Sequence, residues 1–164
     1  MKDLIDKLSS YNLFNNLFPG VIFVLVANKL TVYNYTQENL VLGIFLYYFI
    51  GLVISRIGSL FIEPILKYFS FLKFADYKLF VKASQKDIAI VTLSEVNNMY
   101  RSVCSLFVVI SILKVYEKIE SSFVFLQSMR AEILISLLLL LFLFSYKKQT
   151  NYISKRVDAN IQDS

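Results

Sequence analysis

Histidine is absent from this 164-residue chain and cysteine occurs once. A disulfide within the chain is therefore impossible, and a zinc or haem site built from Cys and His ligands has no donors. The single cysteine, Cys104, stands among Ser102, Val103, Ser105 and Leu106, which reads as a small packing residue. The phosphate-binding glycine-rich loop, the G-x-S-x-G elbow and the H-E-x-x-H helix are missing as well. Glu117 and Glu120 make a carboxylate pair by spacing, but no histidine, metal-ligand set or second constellation stands beside them. No catalytic, cofactor-binding or metal-binding residue is expected, and neither is an enzyme. Internal repeats and low-complexity tracts are lacking too.

What the chain has is apolar sequence in separated runs. Apolar residues make up 57% and the mean hydropathy is +0.59, above the roughly 45–50% of soluble domains. Such runs are expected where lipid is the solvent. The reading is an all-α polytopic membrane protein, a single membrane domain with crossings at about 14–32, 40–62, 102–117 and 131–146. Asp3 and Asp6 spoil the basic start of a signal peptide, and Pro19-Gly20 interrupts the first apolar run, so that segment is expected to stay.

Leu4, Ile5, Leu8 and Tyr11 recur at helical spacing between charges, which predicts a short amphipathic helix at the membrane surface. Asn15-Asn16 then breaks it, and Pro19 restarts a helix. From Pro19 to Val32 that helix covers only about 21 Å of about 30 Å of hydrocarbon, so residues 13–18 must contribute or the bilayer must thin. A polar link at 28–39 carries Tyr33 and Tyr35, which suit an interface. Glu63-Pro64 ends or kinks the second crossing. Thr92-Leu-Ser-Glu95 has the spacing of a capping box ahead of the third. The loop 63–101 interleaves aromatics with lysines, as amphipathic helices on a membrane surface do, with Asp76 and Asp87 as candidate caps. A polar tail occupies 147–164.

The 17 lysines and arginines orient the chain. Twelve fall in the N-terminus, the long loop and the tail; Lys29, Lys114, Lys118 and Arg130 fall on the other side, and Arg56 lies inside a crossing. This places both termini and the long loop in the cytoplasm. The pI of 9.2 is then a topology signal, and no basic stripe with stacking aromatics suggests nucleic acid.

Gly51, Ser55 and Ser59, with Gly58 beside them, share one face of the second crossing, the small-xxx-small pattern by which membrane helices approach closely. That face is a candidate helix contact, within the chain or between protomers. On an ideal helix Arg56 and Glu63 flank it, at about 140° and 120° from Gly51. Arg56 either snorkels to the headgroups, or faces inward to pair with an acid or line a cavity. A direct Arg56–Glu63 bond would have to bridge about 10.5 Å of rise. Glu95, Asn97, Asn98 and Arg101 make a polar turn before the third crossing, a candidate docking surface for a soluble partner. Glu117, Glu120 and Glu132 with Lys114, Lys118 and Arg130 read as solvated mixed charge at the outer rim.

Four segments resemble small four-span proteins of bacterial anti-phage loci: Asn16-Leu-Phe-Pro-Gly20, Phe49-Ile-Gly-Leu-Val-Ile-Ser-Arg-Ile-Gly-Ser59, Phe74-Ala-Asp-Tyr77 and the stretch 93–101. The family they are most similar to is KwaA, the membrane subunit of the Kiwa system. The resemblance implies a homotetramer in the inner membrane, serving as sensor and anchor for a cytoplasmic partner, KwaB, that handles phage DNA. It adds Asp76 and Tyr77 to the docking candidates and brings no catalytic residue. The expected function is an oligomeric scaffold or sensor; the alternative is a small channel with Arg56 in its lining.

Overall fold

Two π-helical turns, each just ahead of one of the chain's two prolines, set the course of the first half of the molecule. The computed structural model describes residues 13–161, and every regular element among them is helical. The amphipathic helix expected around Leu4–Tyr11 lies outside the described residues. Helix α1, Phe18–Leu30, follows directly from a π turn at Leu13–Leu17. Leu17 is helical in backbone (φ −65°, ψ −45°), so the break expected at Asn15-Asn16 does not occur. A π turn pairs each N–H with the carbonyl five residues back, so it can absorb the hydrogen bond that a proline cannot make.

Helix α2, Leu40–Ile57, is capped by Asn39, whose side chain accepts from the N–H groups of Val41 and Leu42 at 3.0 and 3.1 Å. It passes through the second π turn, Gly58–Ile62, into α3, Glu63–Tyr68. Glu63-Pro64 therefore neither ends the helix nor breaks it. The helical run Leu40–Tyr68 has 29 residues and a hydropathy of 2.1, long and apolar enough to cross a membrane. The shorter apolar helix Asn15–Leu30 does not reach that length. Ser70, in the left-handed region at φ 58°, turns the chain out of α3.

Helix α4, Tyr77–Lys86, starts at Asp76, whose carboxylate accepts from Lys78 N at 2.9 Å and Leu79 N at 3.4 Å. Helix α5, Ala89–Ser122, follows at once, with Asp87 accepting from Ala89 N at 2.9 Å. Thr92 and Glu95 lie inside that helix and cap nothing, because Asp87 has already met the first free N–H. A short α6, Val124–Ser128, leads to α7, Arg130–Ile161. The segment from Lys147 onward, read as a tail, continues α7 as helix.

Helices α1, α2 and α5 share one core of Phe23, Val24, Ala27, Ile54, Leu106 and Ile110. Gly20 and Gly51 let α1 and α2 touch backbone to backbone. A Cβ on Gly51 would overlap the Asn16 carbonyl and stand 3.0 Å from Gly20 N; one on Gly20 would overlap the Tyr47 carbonyl. The contact is reinforced by polar side chains. Asn15 and Asn16 are each 4% exposed. Asn15 donates to Ser55 Oγ at 3.3 Å and accepts from Ser102 Oγ at 3.0 Å, while Asn16 donates to Tyr48 Oη at 3.2 Å. Three helices are thus tied together through one asparagine. Helix α7 lies against α2 through stacked Phe49 and Phe142 (6.0 Å) and against α4 through Tyr77 and Tyr152 (6.0 Å).

Candidate functional site

The second π turn decides where Glu63 goes. Its N–H reaches Gly58 O, five residues back, so one residue is taken up in the turn and everything beyond lags by about 100°. Glu63 thereby moves from the flank of the small-residue face to about 20° from Gly51, onto the face itself. Its side chain is buried at 7% exposure, and its carboxylate meets two cations there. Arg101 of α5 donates from Nη1 to Oε2 at 2.7 Å, and Lys67 from Nζ to Oε1 at 2.8 Å. The Lys67 ammonium also lies 3.9 Å over the Phe74 ring.

This pair forms one wall of a groove of about 490 Å³ between α3, α4, α5 and α7. Arg56 and Lys155 line it together with Lys67 and Arg101, and Glu63 is the one carboxylate among the described lining residues. Lys148 adds a fifth cation at its edge, donating to the Ser59 carbonyl at 2.5 Å and to Ser59 Oγ at 2.9 Å. Burial pushes the Lys148 ammonium below the usual lysine range; Glu63 opposes this, and Arg101, Lys67 and Arg56 add to it. Arg101 Nε is buried with no hydrogen-bond partner. Among the described lining residues, cations outnumber carboxylates four to one.

The residues singled out from the sequence divide between the groove and its supports. Arg56, Ser59, Glu63, Tyr77, Asn97, Asn98 and Arg101 all line it. Gly51, Ser55 and Gly58 lie on the same helix but meet other helices of this chain: Asn16, Asn15 and Ser105 respectively. Asp76 is engaged as the cap of α4, and Glu95 is half-buried away from the lining. Arg56 lines the groove, and Glu63 is bonded to Lys67 and Arg101. Sequence reasoning missed Asn15, Asn16 and Ser102 as a polar tie, and Lys148 and Lys155 as groove residues. The lysines had been counted as tail charge, and only a helix continuing past residue 147 reveals their position.

At the opposite end, Glu120 departs from the solvated reading. It is 3% exposed and receives Arg130 twice, Nε at 2.7 Å and Nη2 at 3.0 Å, and Tyr33 Oη at 2.6 Å. The Arg130 guanidinium also lies over the Tyr33 ring at 5.1 Å. The bonds from Arg130 and then Tyr33 hold the Glu120 carboxyl below the usual glutamate range. Burial and the bond to Glu120 push the Tyr33 phenol above its usual range. This clamp joins the 31–39 link to the ends of α5 and α7. Lys114 and Glu117, in contrast, pair at 3.0 Å with the lysine exposed and the glutamate half-buried. Cys104, read as a packing residue, is exposed, because the inward face of α5 is taken by Ser102, Ser105 and Leu106.

Compared with family models, with curated proteins and with solved structures, the chain matches none.

Proposed function

We propose that the chain is a four-crossing inner-membrane protein that works as an oligomeric scaffold or sensor, with the groove end in the cytoplasm. The observation that carries the reading is an outward-facing apolar belt between two polar ends. On Leu40–Tyr68 it includes Leu40 at 77% and Phe45 at 70% exposure, and on α7 Ile135 at 66% and Leu139 at 60%. Water would penalise such a surface heavily, at about 25 cal/mol per Å², whereas lipid accepts it. The belt extends to α1 and α5 through Leu25, Phe107 and Ile112, which supports crossings beyond the one whose length and composition are sufficient alone. The polar ends fit the charge asymmetry, with Lys67, Arg101, Lys148 and Lys155 at the groove end on the cytoplasmic side.

In this reading α4 and the start of α5 present Tyr77, Asn97 and Asn98 to a soluble partner, and the sequence resemblance to KwaA supports a role in anti-phage defence. A channel within one protomer is less well supported. Above Arg56 the space between α1, α2 and α5 is filled by Phe23, Ile54 and Leu106, so no path continues inward from the groove there.

The test is cysteine accessibility in inverted and right-side-out membrane vesicles, on a Cys104→Ser background. Ser121→Cys and Asn151→Cys should react with a membrane-impermeant maleimide from opposite sides. Equal labelling of both positions from one side would refute the crossing pattern. Extraction of the chain by alkaline carbonate would refute membrane integration altogether.

A further inference from the structure

We propose that the groove is a recognition site for a phosphate-bearing anion, supplied as a lipid headgroup or as a soluble phosphate ester. Four cations reach one volume from three long helices: Arg56 and Lys67 from the run Leu40–Tyr68, Arg101 from α5 and Lys155 from α7. Convergence of that kind serves a compact, multiply charged anion with several acceptor oxygens better than a single carboxylate. Arginine's planar fork and lysine's mobile ammonium are complementary in that role. Arg101 uses Nη1 on Glu63 and has a buried Nε–H without an acceptor, so an oxygen entering beside Glu63 would complete its bonding.

The neutral lining is also rich in donors. Ser94, Asn97 and Gln149 add hydroxyl and amide groups, and Tyr77 and Tyr152 form an aromatic wall. A volume of about 490 Å³ falls within the roughly 300–1,000 Å³ of small-molecule sites. It has room for a phosphate and for part of the molecule that carries it. Burial first, and then the nearby Arg101, Lys67 and Arg56, hold the Lys148 ammonium below the usual lysine range, and an incoming anion would offset the part due to like charge. The soluble arm of this proposal does not depend on the membrane reading; the lipid arm rests on it.

Two ligand arms are measured on the full chain. In detergent micelles, ATP is titrated by calorimetry. In nanodiscs of phosphatidylcholine, with or without phosphatidylglycerol, retained phosphatidylglycerol is counted by native mass spectrometry after release. Lys155→Glu and, separately, Asn97→Asp place an acid in the groove at exposed positions. Lys114→Glu is the control at the far end. Saturable ATP binding weakened about tenfold or more by the groove variants and unchanged by the control supports a soluble phosphate ester, since one charge-assisted bond is worth that much. Specific phosphatidylglycerol retention with the same pattern supports a headgroup. Absence of saturable binding in both arms overturns the proposal. So does equal weakening by Lys114→Glu, which would make the attraction a diffuse property of the basic chain. Helical content by circular dichroism is measured for each variant, and the second groove variant stands in if the first is not helical.

Discussion

Replacing Gly51 with alanine adds one methyl group where two helix backbones meet. The new Cβ would overlap the Asn16 carbonyl oxygen, stand 2.6 Å from its carbon and 3.0 Å from Gly20 N. All three obstacles are backbone, so no rotamer change relieves the clash, and α1 must move away from α2. Overpacking of this kind costs about 1–3 kcal/mol. The same movement strains the Asn15–Ser55 and Asn16–Tyr48 bonds, each worth about 0.6 kcal/mol in a membrane setting. Alanine's better helix propensity returns at most about 1 kcal/mol. The net loss is therefore about 1–3 kcal/mol. Gly43 supplies the contrast: a Cβ there meets Tyr47 and Gln37 side-chain atoms at 3.6–3.7 Å, ordinary contact. Gly43→Ala should be neutral or stabilising by about 0.5 kcal/mol. Thermal unfolding of the purified chain in detergent, followed by circular dichroism, should rank Gly43→Ala at or above the parent and Gly51→Ala below it, by about 2–12 °C. Equal melting temperatures for the two variants would refute the close approach of α1 and α2.

Asn15→Leu removes the side chain that ties α2 to α5 and leaves Ser55 and Ser102 without it; a loss of about 1–3 kcal/mol is expected, and an unchanged melting temperature would speak against the tie. Glu120 has a lowered folded pKa, so its contribution is complete above the ordinary glutamate value, about 4.3, and is lost as pH falls through the folded value. The parent should therefore lose more stability than Glu120→Gln on going from pH 7 to acid, and parallel pH profiles would exclude the clamp. Tyr33 has a raised folded pKa, so its contribution is complete below the ordinary tyrosine value, about 10, and lost as pH rises through the folded one. In an ultraviolet titration, Tyr33→Phe should remove an ionisation that occurs above the main tyrosine step; removal from the main step would contradict that order. Ser70→Gly relieves a left-handed residue at φ 58° and should stabilise by about 1 kcal/mol, as read by the same melts.

The helical class and much of the groove could be read from residue patterns, for reasons that particular residues make plain. Small residues every four positions put Gly51 and Ser55 on one face wherever the helix lies, and Asp76 has the polar acceptor a helix start needs. Arg56, Asn97, Asn98 and Arg101 stood out as polar groups beside apolar runs. What periodicity cannot show is a change in the period itself. Glu63 was placed by counting 100° per residue, and the π turn before it makes that count wrong by one residue. Asn15 and Asn16 read as a break because asparagine is a poor helix former; buried and bonded to Ser55, Ser102 and Tyr48, they hold the bundle together instead. Glu120 and Arg130 are ten residues apart with Tyr33 far upstream, so only the tertiary fold shows that the three meet.

The turn at Gly58–Ile62 also works as a phase setting between the two halves of one long helix. Upstream of it, the small-residue face is fixed by α1; downstream, Glu63 and Lys67 are fixed by Arg101 and Phe74. Deleting a single residue within the turn would restore the ordinary helical count and leave Glu63, then eleven residues beyond Gly51, on the same face at about 20°. One residue inserted as ordinary helix would instead rotate the downstream half by about 100°, leaving the upper bundle intact while the groove lost its carboxylate wall. The turn therefore tolerates the loss of a residue but not an insertion, and lineages that keep the groove should keep Gly51 and Glu63 on one face, either twelve residues apart with the turn or eleven apart without it.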